Sequence, residues 1–252
     1  MNPITFVYTE ALFRPLLNLM VGITNNIPGH NIGWAIIIVT VLVRLVLLPV
    51  SLHQVRKTQE NQEKMGEVQA RIKEIKKKHK DDSAKQAEET MKVYRESGVN
   101  PASGCLPLLI QLPVLIALYR VFLSELGTET FSLLYSFVGQ PEVVGLTFFG
   151  LNLSDPSLRL GVLAGIGQFI QMRLMGSPSQ TPATPEGGED AAAMMSAMQK
   201  NMMYIFPVMT VFIALQLPAA LALYWFISTV FGIGQQYLFR RVFKVGGGIP
   251  VA

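Results

Sequence analysis

Twenty-one of the chain's 38 charged side chains fall between Gln54 and Gly98, which leaves 17 for the other 207 residues. Outside that segment, apolar runs dominate. Half of the 252 residues are hydrophobic and 15% are charged, against roughly 25% in an average soluble domain. This distribution excludes an ordinary soluble globular domain. It describes an all-α polytopic membrane protein with one charged insertion.

The apolar runs divide the chain. The first span covers 32–53 and is apolar from Ile32 to Leu52 except for Thr40, Arg44 and Ser51; a helix of that length covers ~30 Å. The second, 102–123, is interrupted by Pro107 and Pro113, and 124–157 is a loop with Gly139, Pro141, Gly145 and Pro156. The third is 158–175. Residues 176–200 include the low-complexity stretch Gly176 to Asp190, a linker that should not be forced into structure. Spans 202–216 and 219–239, split by Leu217–Pro218, form an antiparallel hairpin, and 240–252 is a short tail.

Residues 1–31 place Ile4, Phe6, Val7, Ala11, Leu12, Leu16, Leu19 and Met20 at roughly helical spacing, with Glu10, Arg14 and Asn18 opposite. Pro3 suits a helix start and Pro15 a kink. The segment lacks the basic n-region of a signal peptide. It reads as an uncleaved amphipathic helix in the membrane interface; the plainer alternative is a loosely ordered lead into the first span.

Basic residues orient the spans. The 54–98 insertion carries 12 of them, and the tail carries Arg240, Arg241 and Lys244. The 124–157 loop carries Glu125, Glu129, Glu142 and Asp155 and no base. Five spans then put the N-terminus outside and the insertion, the linker and the C-terminus in the cytoplasm.

Within the insertion, Met65, Val68, Ile72 and Ile75 are spaced 3, 4, 3, and Ala84, Ala87, Met91 and Tyr94 repeat the pattern. Two such seams describe an antiparallel helical hairpin. Ser83 with Gln86 fits a capping box for its second helix. The hairpin reads as a docking surface for a partner or incoming chain, or as a solvated spacer near anionic lipid.

Arg44 lies twelve residues into the first span, at an insertion cost of about 2.5–3.5 kcal/mol. No Asp or Glu occurs in any of the five spans. Arg44 must therefore face water, neutral polar groups, or a ligand that brings negative charge. The neutral groups include Thr40, Gln111, Gln168, Gln171, Ser228, Gln235 and Gln236, most of them in the middle or cytoplasmic half of the spans. Together they describe a wet, positively charged cavity open to the cytoplasm. Snorkelling of Arg44 to the headgroups is the competing reading. Trp225 suits an interfacial aromatic belt. Met194, Met195, Met198, Met202 and Met203 form a soft apolar patch.

Other chemistry is poorly supported. One cysteine, Cys105, excludes a disulfide framework. His30, His53 and His79 share no ligand spacing, so neither a metal nor a cofactor is expected. No phosphate-binding G-x-x-x-x-G-K-[ST] motif occurs. The net charge of +4 belongs to loops beside a membrane and not to nucleic-acid binding.

Three groups of motifs carry a family resemblance. Gly33-Trp34-Ala35-Ile36-Ile37 with Thr40, Arg44 and Pro49 is the first. Gly98-Val99-Asn100-Pro101, Gly104-Cys105-Leu106-Pro107 and Gln111-Leu112-Pro113 make the second. Leu217-Pro218-Ala219-Ala220-Leu221, Leu223-Tyr224-Trp225 and Gln235-Gln236 make the third. In this order, with a charged hairpin between the first two, residues 30–241 resemble the YidC/Oxa/Alb family of membrane protein insertases. The resemblance implies a bacterial plasma-membrane protein with a five-helix core and a hydrophilic groove open to cytoplasm and lipid. The family's groove arginine maps onto Arg44 and its fifth-span tryptophan onto Trp225. Its third-span glutamine maps onto Gln168, with Gln171 as the alternative. The implied partners are newly made membrane proteins, the bilayer, and a Sec translocon or targeting machinery reached through the hairpin.

The sequence departs from the family in several places. The large periplasmic domain, extra N-terminal span and lipoprotein signal of other members are not found. The long basic tail that holds ribosomes in some members is reduced to a few residues. The fifth-span entry reads Pro-Ala-Ala where many members have Pro-Ser-Gly. The implied activity is insertion and chaperoning of membrane proteins, with no enzymatic step. A small-solute transporter or channel is the alternative, although no internal repeat is found. A membrane-anchored scaffold is a third reading.

Overall fold

A computed structural model describes residues 3–80, 82–98, 106–123, 132–141, 144–174 and 204–243. The linker, the methionine patch from Met194 to Met203, Cys105, Glu125, Glu129, Glu142 and Lys244 lie outside the described residues.

The chain opens with α1 (Pro3–Tyr8) and α2 (Arg14–Asn26), joined by a π-helical turn, Thr9–Phe13. Pro15 accounts for the wide turn. It has no N–H to donate, and its ring crowds the carbonyl one turn back. Thr5–Asn26 is apolar and long enough to cross a membrane by length and composition. Its length therefore does not impose the interfacial setting expected from sequence. Leu16, Leu17, Met20 and Val21 are buried in a core shared with α3 (Ile32–Val46) and α6 (Leu106–Leu123).

Asn31 starts α3 by accepting a hydrogen bond from the Gly33 N–H at 2.9 Å. The helix stops at Val46, and α4 (Leu48–Lys78) leaves at 63°. The sequence reads one span through this point. Pro49 explains the difference, because proline suits the first turn of a new helix and disrupts the interior of an old one. Pro113, by contrast, sits inside α6 without ending it.

α4 continues for 31 residues and packs against α5 (Ser83–Glu96). Val68 and Val93 are buried there, with Ile72, Ile75 and Tyr94 packed around them. Two details differ from the sequence reading. The cap of α5 is Asp82, whose carboxylate accepts from the Lys85 N–H at 3.0 Å, one residue before the expected serine. The buried face of α5 runs through Gln86 and Val93, while Ala84, Ala87 and Met91 are exposed. Gln86 turns inward because its amide donates to the His79 carbonyl at 2.6 Å and closes the turn.

A small β-hairpin, β1 (Thr147–Phe148) and β2 (Leu151–Asn152), pairs Phe148 with Leu151. It leads into α7 (Leu158–Leu174), then α8 (Tyr204–Ala214) and α9 (Ala219–Phe243). Glycines let these three approach closely. Gly161 lies against Ala214 and Gly165 against Pro207, so α8 runs antiparallel to α7. Gly167 lies against Thr229 and Gln171 against Gly232, so α9 runs parallel to α7.

The outer surface of the bundle is apolar. Trp34, Ile38, Leu42 and Leu45 are exposed along α3, Val162, Ile166 and Ile170 along α7, and Ile205, Val208, Met209 and Phe212 along α8. Patches of this extent on a folded chain mark contact with lipid or a partner. Thr40, Thr210, Ser228 and Thr229 are buried inside.

Candidate functional site

Arg44 occupies the last turn of α3 and is half-buried. Its Nε donates to Ser228 Oγ at 2.8 Å, and its Nη2 donates to the same oxygen and to Gln111 Oε1 at 3.2 Å. Gln111 Nε2 in turn donates to the Tyr224 hydroxyl. The network joins α3, α6 and α9 around one guanidinium. Ser228 and Tyr224 are one helical turn apart on α9 and are both buried, so that face of α9 is polar where it meets α3 and α6.

A second polar step lies seven residues further along both helices. Gln235 Nε2 donates to Ser51 Oγ at 2.9 Å, and the Ser51 hydroxyl donates to the Leu48 carbonyl at 2.9 Å. The pairs Arg44–Ser228 and Ser51–Gln235 have the same sequence offset. Two parallel segments therefore stay in register across the bend at Leu47.

The acceptors of Arg44 in this network are neutral. The four ion pairs among the described residues are Arg14–Glu10, Arg56–Glu60, Arg71–Glu96 and His79–Glu89, and none includes Arg44. Hydroxyl and amide oxygens orient the guanidinium without cancelling its charge. Its field thus remains available to an incoming anion.

The other sequence candidates are placed differently. Thr40 does not join the network: it is buried, and its hydroxyl donates to the Ile36 carbonyl of its own helix at 2.6 Å. Gln168 and Gln171 are half-buried on α7, and Gln171 lies against Gly232 of α9. Trp225 is half-buried on α9, and its carbonyl accepts from the Thr229 hydroxyl at 2.8 Å. Gln236 is buried, with its carbonyl oxygen unpaired among the described residues. Sequence reasoning gave Tyr224 no place in the site, and it counted Gln235 among the cavity's polar groups without pairing it with Ser51. The available signal was spacing: Tyr224 is four residues from Ser228, and Ser51 and Gln235 are each seven from Arg44 and Ser228.

An apolar-surfaced helical bundle with a charge held on neutral groups inside it defines a class of integral membrane protein. The chain belongs to the 60Kd inner membrane protein family, whose family model matches residues 23–245. A membrane protein insertase YidC of Fusobacterium nucleatum is 34% identical over 234 residues, covering 93% of this chain and 98% of its own length. The membrane protein insertase MisCA of Bacillus subtilis is 32% identical over 92% of this chain and 79% of its own. A membrane protein insertase YidC 1 of Lactiplantibacillus plantarum is 35% identical over 94% and 70%.

Proposed function

We propose that the chain is a bacterial membrane protein insertase that works through the polar network around Arg44, without enzymatic chemistry. The observation that carries this reading is a guanidinium held by Ser228 and Gln111 between otherwise apolar helices, with no carboxylate beside it among the described residues. A charge maintained at such cost calls for a negatively charged visitor.

The substrate on this reading is a newly made membrane protein with an apolar stretch and a short acidic tail. The tail enters a hydrophilic groove lined by Arg44, Gln111, Ser228 and Trp225, with Gln168 and Gln171 on the far wall. Arg44 attracts it, and the groove shortens the remaining barrier because it does not cross the whole bilayer. The apolar stretch then leaves sideways into lipid, a transfer favourable by roughly 25 cal/mol per Å². Thr40 serves helix packing and not the groove.

The helix directions support a topology of five spans: α3 with the start of α4, then α6, α7, α8 and α9. α8 opposes α7, and α9 runs parallel to α7, as alternating crossings require. The N-terminus then lies outside and the α4–α5 hairpin in the cytoplasm, where it meets targeting machinery or a translocon. Residues 1–31 lie in the outer interface on this reading. Arg14 and Asn18 bind the Leu133 carbonyl at 3.0 and 3.1 Å, which ties them to loop 132–139.

The test is insertion of a short single-spanning protein with an acidic N-terminal tail into proteoliposomes. Wild type is expected to insert it, Arg44→Ala to lose most of the activity, and Arg44→Lys to recover part of it. Equal insertion by wild type and Arg44→Ala removes the charge from the mechanism. Equal yields with and without protein remove the insertase reading.

A further inference from the structure

The turn that closes the β-hairpin holds two residues in left-handed backbone, Phe149 at φ 48° and Gly150 at φ 73°. Two such residues make the tight hairpin turn that asparagine, aspartate and glycine normally occupy. A bulky aromatic there is strained. It is also not buried: Phe149 is 80% exposed, while neighbouring Phe148 is 8% exposed. Folding alone therefore gives no reason for phenylalanine at this position.

The surroundings of Phe149 supply one. Its ring meets Phe148 edge-on at 4.7 Å, and Trp34 lies 5.4 Å from Phe148 and 6.2 Å from Phe149. Phe148 packs so closely on Gly33 that a Cβ there would overlap its ring. Backbone bonds fix the hairpin to the start of α3, with Ile32 N–H donating to the Gly145 carbonyl at 3.0 Å and Gly145 N–H to the His30 carbonyl at 2.9 Å. Asn31 adds a side-chain bond to the Thr147 carbonyl at 2.7 Å. Trp34 begins the exposed apolar stripe that continues through Ile38, Leu42 and Leu45. The two exposed rings are thus continuous with the exposed apolar side of α3 and joined to it by these bonds.

We propose that Trp34, Phe148 and Phe149 form an anchor in the outer lipid headgroup region that sets the depth of α3, and with it the depth of Arg44. Aromatic rings favour that zone of a bilayer. Arg44 lies ten residues further along the same helix, ~15 Å deeper. A fixed outer end therefore holds the guanidinium at a fixed level. The anchor rests on the proposed topology, in which the Ile32 end of α3 faces outward.

The full chain in liposomes tests this. With Trp34→Phe and Trp225→Phe, Phe149→Trp becomes the sole indole. Blue-shifted emission is expected, with stronger quenching by lipid brominated near the headgroup than near the tail end, and little quenching by iodide. Water-like emission with efficient iodide quenching overturns the anchor, and so does energy transfer that rises with protein density, which would assign the ring to a second copy. The second variant, Phe149→Asn, suits the turn backbone and keeps the fold. With Trp34 as sole indole through Trp225→Phe, it should change the ratio of shallow to deep quenching about twofold or more as the rings leave the interface. An unchanged ratio with a raised melting temperature reduces Phe149 to a poor turn residue and overturns the proposal. Headgroup-brominated lipid confined to one leaflet reports sidedness separately. Shallow quenching from the cytoplasmic side sinks the topology, whereas loss of shallow quenching from both sides sinks the anchor.

Discussion

At the scale of single residues, the site depends on how each polar group finds a partner. Arg44 stands out in the sequence because a charge in an apolar run must be accounted for. Ser228 and Gln111 were legible as polar residues, but their pairing with Arg44 depends on where three helices meet. Thr40 shows the limit of counting polar residues. A threonine inside a helix can satisfy its hydroxyl on the carbonyl four residues back, and Thr40 does so at 2.6 Å. Ser228 is the sharper target, since one oxygen accepts from both Nε and Nη2 of Arg44. Ser228→Ala leaves that guanidinium short of an acceptor, and a hydrogen bond to a charged group contributes about 1.5–3 kcal/mol. The expected result is a lowered melting temperature in detergent together with weaker insertion. Ser228→Thr, which keeps the oxygen, should recover part of both. A melting temperature unchanged in Ser228→Ala would mean that Gln111 alone holds Arg44.

At the scale of elements, helices were legible from hydrophobic spacing, but the break at Pro49, the continuity through Pro113 and the phase of the helices were not. The α4–α5 pair illustrates this. Either face of α5 offers apolar residues, and the turn at His79 to Asp82 selects between them through Gln86, a polar residue that hydrophobic counting leaves out. The selected seam is thin, with Val68 and Val93 at its centre. Tyr94 packs beside them, and burial pushes its hydroxyl above the ordinary tyrosine value. The sign follows from linkage. The folded hairpin binds the phenolic proton more tightly than the unfolded chain does. Its stabilisation is therefore complete below the unfolded pKa of about 10 and is lost as pH rises through the higher folded value. Tyr94→Phe removes that proton, so the variant should keep its helical circular dichroism to higher pH than the parent. Identical alkaline midpoints would show that the hairpin does not depend on the Tyr94 proton.

At the scale of the whole molecule, the loop between α6 and α7 sets the register on which the site depends. It binds the start of α3 through Gly145 and the start of α9 through the Leu153 and Asp155 carbonyls, which accept from the N–H groups of Ala220 and Ala219 at 3.0 and 2.9 Å. Both helices then run in one direction from a common frame, and Arg44 meets Ser228 far from the loop. No local sequence signal reveals this, because the frame is made of backbone bonds between segments more than sixty residues apart. Gly145 is the point at which it can be disturbed without touching the site. A Cβ there would lie 2.9 Å from the Gly29 carbonyl oxygen and 3.4 Å from Asn31 Cα, both backbone atoms that cannot swing aside. Gly145→Ala should therefore cost about 1–3 kcal/mol, the range for overpacking a well-filled site. It should also weaken insertion although Arg44, Gln111 and Ser228 are intact. Gly139→Ala is the control, since its Cβ would meet only the Asn25 side chain at 3.9 Å. Thermal unfolding and proteoliposome insertion of the two variants side by side decide the matter. If Gly145→Ala unfolds earlier but inserts as well as Gly139→Ala, the loop stabilises the fold without governing the geometry at Arg44.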